Sequence, residues 1–306
     1  MVGGSGFIGQ AFALQSVHEG YSVSVLSKTQ NQTEQKFREI EYIYADVTQY
    51  ESLFQALSKR RFTHVANFSG YIDHSDFRNG GIDVINQHFD GVRNLVRCLH
   101  WECLECFLQI GSSDEYGNAA SPQSESVRES PLSPYSFGKV AASHFLQMLH
   151  ATEAFPSIVC RLFLVYGPGQ KLDRFIPQIM TACLKNKHFP VTPGMHFRDF
   201  TYIEDIVDAL LLTLKSNGAK GQVLNIGSGL PIRVRDVVEA IVGIAEGGHP
   251  QFGGINYRKG ENMSLYSNSS NAQRILNWAP KIDLELGLNL TLEFYKELHS
   301  VNPQLT

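Results

Sequence analysis

Tyr135 and Lys139 stand four residues apart in the run Tyr135-Ser136-Phe137-Gly138-Lys139, a spacing that puts both side chains on one face of a helix. An ammonium beside a phenol draws its pKa down from about 10 toward working pH, so the pair can exchange a proton with a carbonyl or an alcohol. Just upstream, an apolar run at 107–110 ends in Gly111-Ser112-Ser113-Asp114-Glu115-Tyr116-Gly117. A hydroxyl at the carboxyl end of that strand, facing the phenol, can hydrogen-bond a reacting oxygen, and the Ser112–Ser113 pair offers one. A third group of residues opens the chain: Gly3-Gly4-Ser5-Gly6-Phe7-Ile8-Gly9 satisfies both Gly-x-Gly-x-x-Gly and Gly-x-x-Gly-x-x-Gly. A turn without Cβ atoms lets a pyrophosphate reach backbone N–H groups and a helix N-terminus. The next strand ends in Val25-Leu26-Ser27-Lys28, with no acid to accept a hydrogen bond from a ribose 2′-hydroxyl. Ser27 and Lys28 suit a 2′-phosphate instead, so the expected cofactor is NADP(H), with NAD(H) as the alternative.

These residues need a frame. β-Branched, apolar runs at 22–26, 41–45, 64–68, 105–110 and 157–164 read as strands. Helix-period segments at 7–19, 51–59, 82–99 and 135–150 alternate with them, which predicts an α/β fold with a doubly wound parallel sheet of Rossmann type. The strands are nearly continuous in apolar residues, as strands covered on both faces are. Residues 118–134, rich in Ser and Pro, read as a long surface loop. From about residue 166 the pattern becomes irregular, mixing helices at 174–185, 234–244 and 284–299 with Gly/Pro breaks. The expectation is a dinucleotide-binding domain over 1–165 and, over 166–306, mainly a smaller substrate-binding cap above the carboxyl ends of the strands, with some later segments returning to the sheet.

Composition narrows the function class. The formal net charge of −4, with no Lys/Arg run, excludes a nucleic-acid binder. Five scattered cysteines do not make a disulfide framework, and Cys103-x-x-Cys106 lacks a second ligand pair, so no metal site is expected. The most apolar stretch, 203–214, carries Glu204, Asp205 and Asp208 and is too short to span a bilayer. With no signal-peptide pattern at the start, no membrane association and a cytoplasmic location are expected.

The chain resembles the extended short-chain dehydrogenase/reductase family, which includes nucleotide-sugar epimerases, dehydratases and 4-keto reductases. The resemblance runs nearly end to end. It rests on Gly3–Gly9, Ser112–Gly117, Tyr135–Lys139, Arg161-Leu162-Phe163-Leu164-Val165-Tyr166-Gly167-Pro168-Gly169, Arg198-Asp199-Phe200-Thr201-Tyr202-Ile203-Glu204-Asp205, Asn225-Ile226-Gly227-Ser228-Gly229 and Arg258-Lys259-Gly260-Glu261-Asn262. It implies that Tyr135 is the acid/base and that Lys139 is its partner and holds the nicotinamide ribose. Ser112 matches the catalytic Ser/Thr when counted back from Tyr116-Gly117; Ser113 matches only with a one-residue deletion and otherwise faces the substrate. Further implied contacts are Asp46 and Val47 beside the adenine, Ser69 and Gly70 where the cofactor crosses, Arg198 and Arg258 on the nucleotide diphosphate, and Glu261 on the nucleotide ribose. A guanidinium suits a diphosphate because it binds two oxygens at once. Two departures stand out: Leu164 replaces a substrate-touching Asn, and Asn67-Phe68-Ser69-Gly70 replaces the usual His-Leu-Ala-Ala type of strand end.

The expected partner is a nucleotide-diphosphate sugar. Within the family the chain looks most like the CDP-abequose and CDP-paratose synthases, through Asp173–Gln178 and Arg258–Tyr266. That likeness implies reduction of a 4-keto-6-deoxy sugar nucleotide. The alternatives are a nucleotide-sugar 4-epimerase or a 4,6-dehydratase with tightly held NAD; for the dehydratase, Asp114 and Glu115 would supply the extra acid and base. A non-enzymatic regulator conflicts with the complete Ser/Tyr/Lys set. The helices at 82–99 and 135–150 correspond to those through which the family pairs, which implies a homodimer. Only Met1 and Val2 precede the first glycine, fewer than the five or six residues usual for a central strand. A start upstream of Met1, or a poorly stable form, is therefore expected.

Overall fold

In the computed structural model, which describes residues 1–30, 39–258 and 260–301, the short stretch around Val2 joins two halves of one parallel sheet. Val2 bridges Leu26 on one side and Asn67 on the other. Its amide donates to the Ala66 carbonyl at 2.9 Å, and its own carbonyl accepts from Phe68 at 2.8 Å. The elements on the first side are α1 (Phe7–His18), β1 (Ser24–Ser27), β2 (Glu41–Tyr44) and α2 (Tyr50–Leu57). On the other side come β3 (His64–Asn67), α3 (Ile82–Ile85), α4 (Gly91–Cys98), β4 (Cys106–Ser112), α5 (Pro134–Glu153) and β5 (Ser157–Leu162). The pairings give the order β2-β1-Val2-β3-β4-β5, all parallel. The strand order reverses at Val2, so the loop after it lies at the crevice where such sheets take ligands.

The remaining elements are β6 (Leu164–Tyr166), α6 (Phe175–Leu184), β7 (His188–Val191), β8 (Phe197–Arg198), β9 (Phe200–Tyr202), α7 (Ile203–Lys215), β10 (Val223–Ile226), β11 (Ile232–Arg233), α8 (Val234–Ala245), β12 (His249–Phe252), β13 (Ser264–Leu265), α9 (Ser270–Leu276) and α10 (Leu284–Val301). β10 returns to the main sheet beside β5. The others form small sheets, β6–β9, β7–β12 and β11-β8-β13. One hydrophobic core runs through both parts, from Leu108 and Ile158 of the main sheet to Met180, Val237 and Leu288. Among the described residues no helix is long and apolar enough to cross a membrane.

Several boundaries differ from the sequence reading for identifiable reasons. The strand read over 157–164 breaks at Phe163, because β5 stays in the main sheet while β6 turns out to pair with β9. β4 runs two residues further than read, since Ser112 still pairs with Leu162 of β5. The helix read over 82–99 is interrupted by a π-type turn, Asn86–Asp90, between α3 and α4. The apolar stretch at 203–214 is a helix, α7, with Glu204 and Asp205 in its first turn where acids favour the N-terminus. The loop at 118–134 is not simply a surface loop: Gln123 is fully buried and its amide donates to the Tyr266 carbonyl at 2.9 Å. Lys259, within the quoted Arg258–Asn262 run, lies outside the described residues.

Candidate active site

α5 begins at a capping box in which Ser133 accepts from the Ser136 amide at 3.1 Å, with Pro134 in the first turn. Proline here loses no helical hydrogen bond, and its fixed φ suits the start of a helix. The cap sets the phase of α5 so that Tyr135 and Lys139 both point into the sheet and are buried. Lys139 Nζ donates to the Ile110 carbonyl at 2.7 Å and lies 5.9 Å from the centre of the Tyr135 ring. Burial lowers the Lys139 pKa to about 8.

The phenol departs from the sequence expectation. Its pKa lies above the ordinary value, first because it is buried and next because the Asp114 carboxylate faces it. The Ser112 hydroxyl lies against the phenol and opposes the shift as a hydrogen-bond partner. Lys139 does not pull the phenol down here, because its ammonium is directed to the Ile110 carbonyl. Of the two serines, Ser112 at the end of β4 is the one turned toward Tyr135; Ser113 is buried in the 3₁₀ turn that follows.

That turn, Ser113–Tyr116, is fastened from below. The Ser112 amide donates to Glu115 Oε1 at 2.9 Å, and the Asp114 amide donates to Ser112 Oγ at 3.1 Å. Glu115 is fully buried and accepts from Ser143 Oγ at 2.8 Å and Arg161 Nε at 2.9 Å. Arg161, also fully buried in β5, reaches Glu129 at 2.6 Å. Asp114 points the other way, into the cleft, with His74 Nε2 at 3.7 Å. Its pKa is raised by partial burial, against the pull of His74, Arg198 and Arg258.

The glycine turn has the shape a dinucleotide needs. A Cβ on Gly3, at φ +74°, would lie 2.8–2.9 Å from the backbone of Phe68 and Ser69, and one on Gly9 would collide with the Gly3 carbonyl. Gly6, the N-cap of α1, has no side-chain cap, so the first-turn amides of Phe7, Ile8 and Gly9 are left for a ligand. Ser5 is exposed on the same turn. At the end of β1, the Ser27 hydroxyl is buried without a partner. Lys28 pairs with Asp46 at 2.8 Å, and Asp46 also accepts from the Thr48 amide at 2.9 Å. The Val47 carbonyl accepts from Asn94 at 3.0 Å. Ser69 is held by Asn67 Oδ1, 3.0 Å from its amide and 2.6 Å from its hydroxyl, and Gly70 follows at φ +112°. A cradle closed to Cβ atoms, free helix amides and an orphaned hydroxyl fit a nicotinamide dinucleotide.

Across the cleft, Arg198 is nearly buried. It is fixed by the Phe197 and Asn262 carbonyls, each at 2.8 Å, and by an ion pair with Glu261. Burial lowers its pKa, and Glu261 opposes that shift. Arg258 is exposed, within electrostatic reach of Asp114. Leu164, noted from the sequence as a departure, is 40% exposed and apolar. The sequence reading missed two residues at the centre: His88 and His74, whose rings meet Tyr135 edge-on at 4.9 and 5.7 Å. No spacing rule identifies them: His74 lies in the irregular segment after β3, and His88, inside the helix-period stretch at 82–99, sits in its π-type turn.

The family model described as "NAD dependent epimerase/dehydratase family" matches residues 1–227. The chain is 25% identical over 290 residues to the UDP-glucuronate 4-epimerase of Thermodesulfobacterium geofontis, covering 93% of this chain and 88% of that protein. It is 26% identical over 330 residues to the dTDP-glucose 4,6-dehydratase of Haemophilus influenzae, covering 96% of each. The crystal structure of dTDP-glucose 4,6-dehydratase from Bacillus anthracis in complex with NAD superposes with a TM-score of 0.86 at 22% identity, covering 100% of this chain and 98% of that one.

Proposed function

Since the chain belongs to the NAD-dependent epimerase/dehydratase family, we propose that it carries out reversible oxidation and reduction at a secondary alcohol of a nucleotide-linked hexose, at C4. The observation that carries this reading is Ser112 against the phenol of Tyr135, with Lys139 on the same helix face. The dinucleotide supplies hydride exchange when bound. Tyr135 takes or returns the proton on the sugar oxygen, and Ser112 hydrogen-bonds that oxygen. Lys139, one turn further along α5 and held by the Ile110 carbonyl, would hold the nicotinamide ribose. The residues that would hold the dinucleotide are Gly3, Ser5, Gly6, Phe7, Ile8, Gly9, Ser27, Asp46, Val47, Ser69 and Gly70. Arg198, Arg258 and Glu261 would hold the nucleotide of the sugar.

Among C4 reactions the geometry supports one without a dehydration step. A 4,6-dehydratase needs a second base at the ring, and Glu115 is fully buried in an ion pair with Arg161. Asp114 alone faces the cleft. We therefore favour a 4-epimerase with retained NAD, in keeping with the named epimerase relative. The second reading, reduction of a 4-keto-6-deoxy sugar nucleotide with NADPH, is favoured by the absence of an acid at the end of β1. Against it, the Lys28 charge is already paired with Asp46. Incubation with UDP-glucose, UDP-glucuronate and CDP-glucose without added cofactor tests the first reading. Incubation with NADPH and CDP- or dTDP-4-keto-6-deoxyglucose tests the second. Turnover without net redox change supports the epimerase, and stoichiometric NADPH loss supports the reductase. No reaction in either arm would overturn both. We also propose a homodimer through the helical segment at 82–98, which holds α3 and α4, and through α5; Ile82, Phe137 and Met148 are exposed there.

A further inference from the structure

We infer that His88 is a positioning residue that holds the Tyr135 phenol in a fixed place relative to the loop Ser69-Gly70-Tyr71. The inference rests on Tyr135 acting as the proton carrier. His88 lies in the π-type turn between α3 and α4 and is 3% exposed. Its ring meets that of Tyr135 edge to face, with centroids 4.9 Å apart and planes at 88°. On its far side, Nε2 is 2.9 Å from the Tyr71 carbonyl. A carbonyl only accepts, so Nε2 carries the hydrogen and the tautomer is fixed. Burial, and then the nearby Lys139 ammonium, lower the His88 pKa to about 3, so the ring is neutral in the working range.

Two glycines are shaped around this ring. A Cβ on Gly70 would run into the imidazole, and one on Gly138 of α5 would lie 3.0 Å from the His88 Cβ. One side chain therefore sits between the strand-end loop, through the Tyr71 carbonyl and Gly70, and the first turn of α5, through Gly138 and Tyr135. An apolar residue could fill the same space but could not anchor the loop. The second imidazole against the phenol, His74, is 42% exposed and turned to Asp114. Its polar partner is on the cleft side, whereas His88 is held between the Tyr71 carbonyl, Gly138 and Tyr135. The charged groups acting on the phenol are Asp114, Glu115 and Arg174.

The test has one arm without substrate. In ¹⁵N-histidine NMR, one imidazole should remain a neutral Nε2–H tautomer below pH 6.5 and vanish in His88→Gln. Titration of His88 at the ordinary histidine value would overturn the inference. In the second arm, His88→Leu keeps the volume and removes the N–H. With the substrate that turns over, kcat should fall by about tenfold to a hundredfold, while KM and the NADH dissociation constant stay within about threefold. The alkaline limb of the kcat profile should shift, and His88→Gln should recover part of the loss. Unchanged kcat and pH profile in His88→Leu, when Tyr135→Phe is inactive, would remove the positioning role. Full activity in Tyr135→Phe would instead remove the functional reading on which it rests. If His88→Leu does not fold, Gln is compared with the shorter Asn, and equal kcat in the two overturns the inference.

Discussion

Tyr135 is where the proposed chemistry is most exposed to a single substitution. Tyr135→Phe deletes one oxygen and leaves the ring that packs on His88, so the fold and NADH affinity should persist. Turnover should drop by about 10²–10⁴-fold, the usual worth of a placed proton carrier, and a retained rate in the substrate panel would refute the role. Ser112→Ala removes a hydrogen-bond partner and should cost about tenfold or more in kcat. A matching loss in Ser113→Ala, measured side by side, would mean that the two serines were assigned in the wrong order. His88 also predicts how stability depends on pH. Its pKa is near 3 when folded and about 6.5 when unfolded. Between those values the unfolded chain binds the extra proton, so stability falls as pH drops from about 6.5 toward 3, by up to about 1.4 kcal/mol per unit. Melting temperatures of wild type and His88→Gln should converge as pH falls through this window. Parallel curves would contradict the buried neutral ring.

The turn after β4 shows how an element can hold a catalytic residue from behind. Glu115 caps the Ser113–Tyr116 turn through the Ser112 amide and pairs with Arg161 inside β5. Stranding a buried charge outright costs about 3–5 kcal/mol; Arg161 keeps Glu129 as a second partner, so loss of the Glu115 charge should cost less than that. Glu115→Gln should still lower the melting temperature and the activity together. Glu261→Gln breaks a pair at the cleft rim, so it should weaken nucleotide-sugar binding with little change in melting. Calorimetry and isothermal titration on the two variants separate these effects. A Glu115→Gln protein that is as stable as wild type but inactive would return Glu115 to a direct part in the chemistry, and with it the dehydratase reading.

For the molecule as a whole, the proposed dimer face and the cofactor are the open quantities. Ile82, Phe137 and Met148 are about half exposed on α3 and α5, a cost that pairing of the two helices would relieve. Light scattering at micromolar concentration should give twice the chain mass, and Phe137→Glu should shift it to one chain. A monomeric wild type would end the proposal. For the cofactor, no acid at the end of β1 repels a 2′-phosphate, while Lys28 is engaged by Asp46. NADH and NADPH should then bind within about tenfold of each other, less than a free charge-assisted contact would give. Fluorescence titration decides this, and a strong NADPH preference would show that Lys28 leaves Asp46 for the phosphate.

Local pattern alone carried the glycine turn, the Tyr–Lys pair, the strand–helix alternation and the family. Each depends on residues close in sequence, where period and missing Cβ atoms are directly legible. Counting back from Tyr116-Gly117 prefers Ser112 to Ser113, and the place of Ser112 beside the phenol depends on the strand pairing of β4 with β5. The Lys28–Asp46 pair, the Glu115–Arg161–Glu129 network and the place of His88 join residues 18 to 47 positions apart. So does the reversal of the expected shift at Tyr135, since burial and a facing carboxylate are properties of the packed site. Contacts of this kind have no period to read, and only the closing of the sheet around Val2 and the docking of α5 on it bring them together.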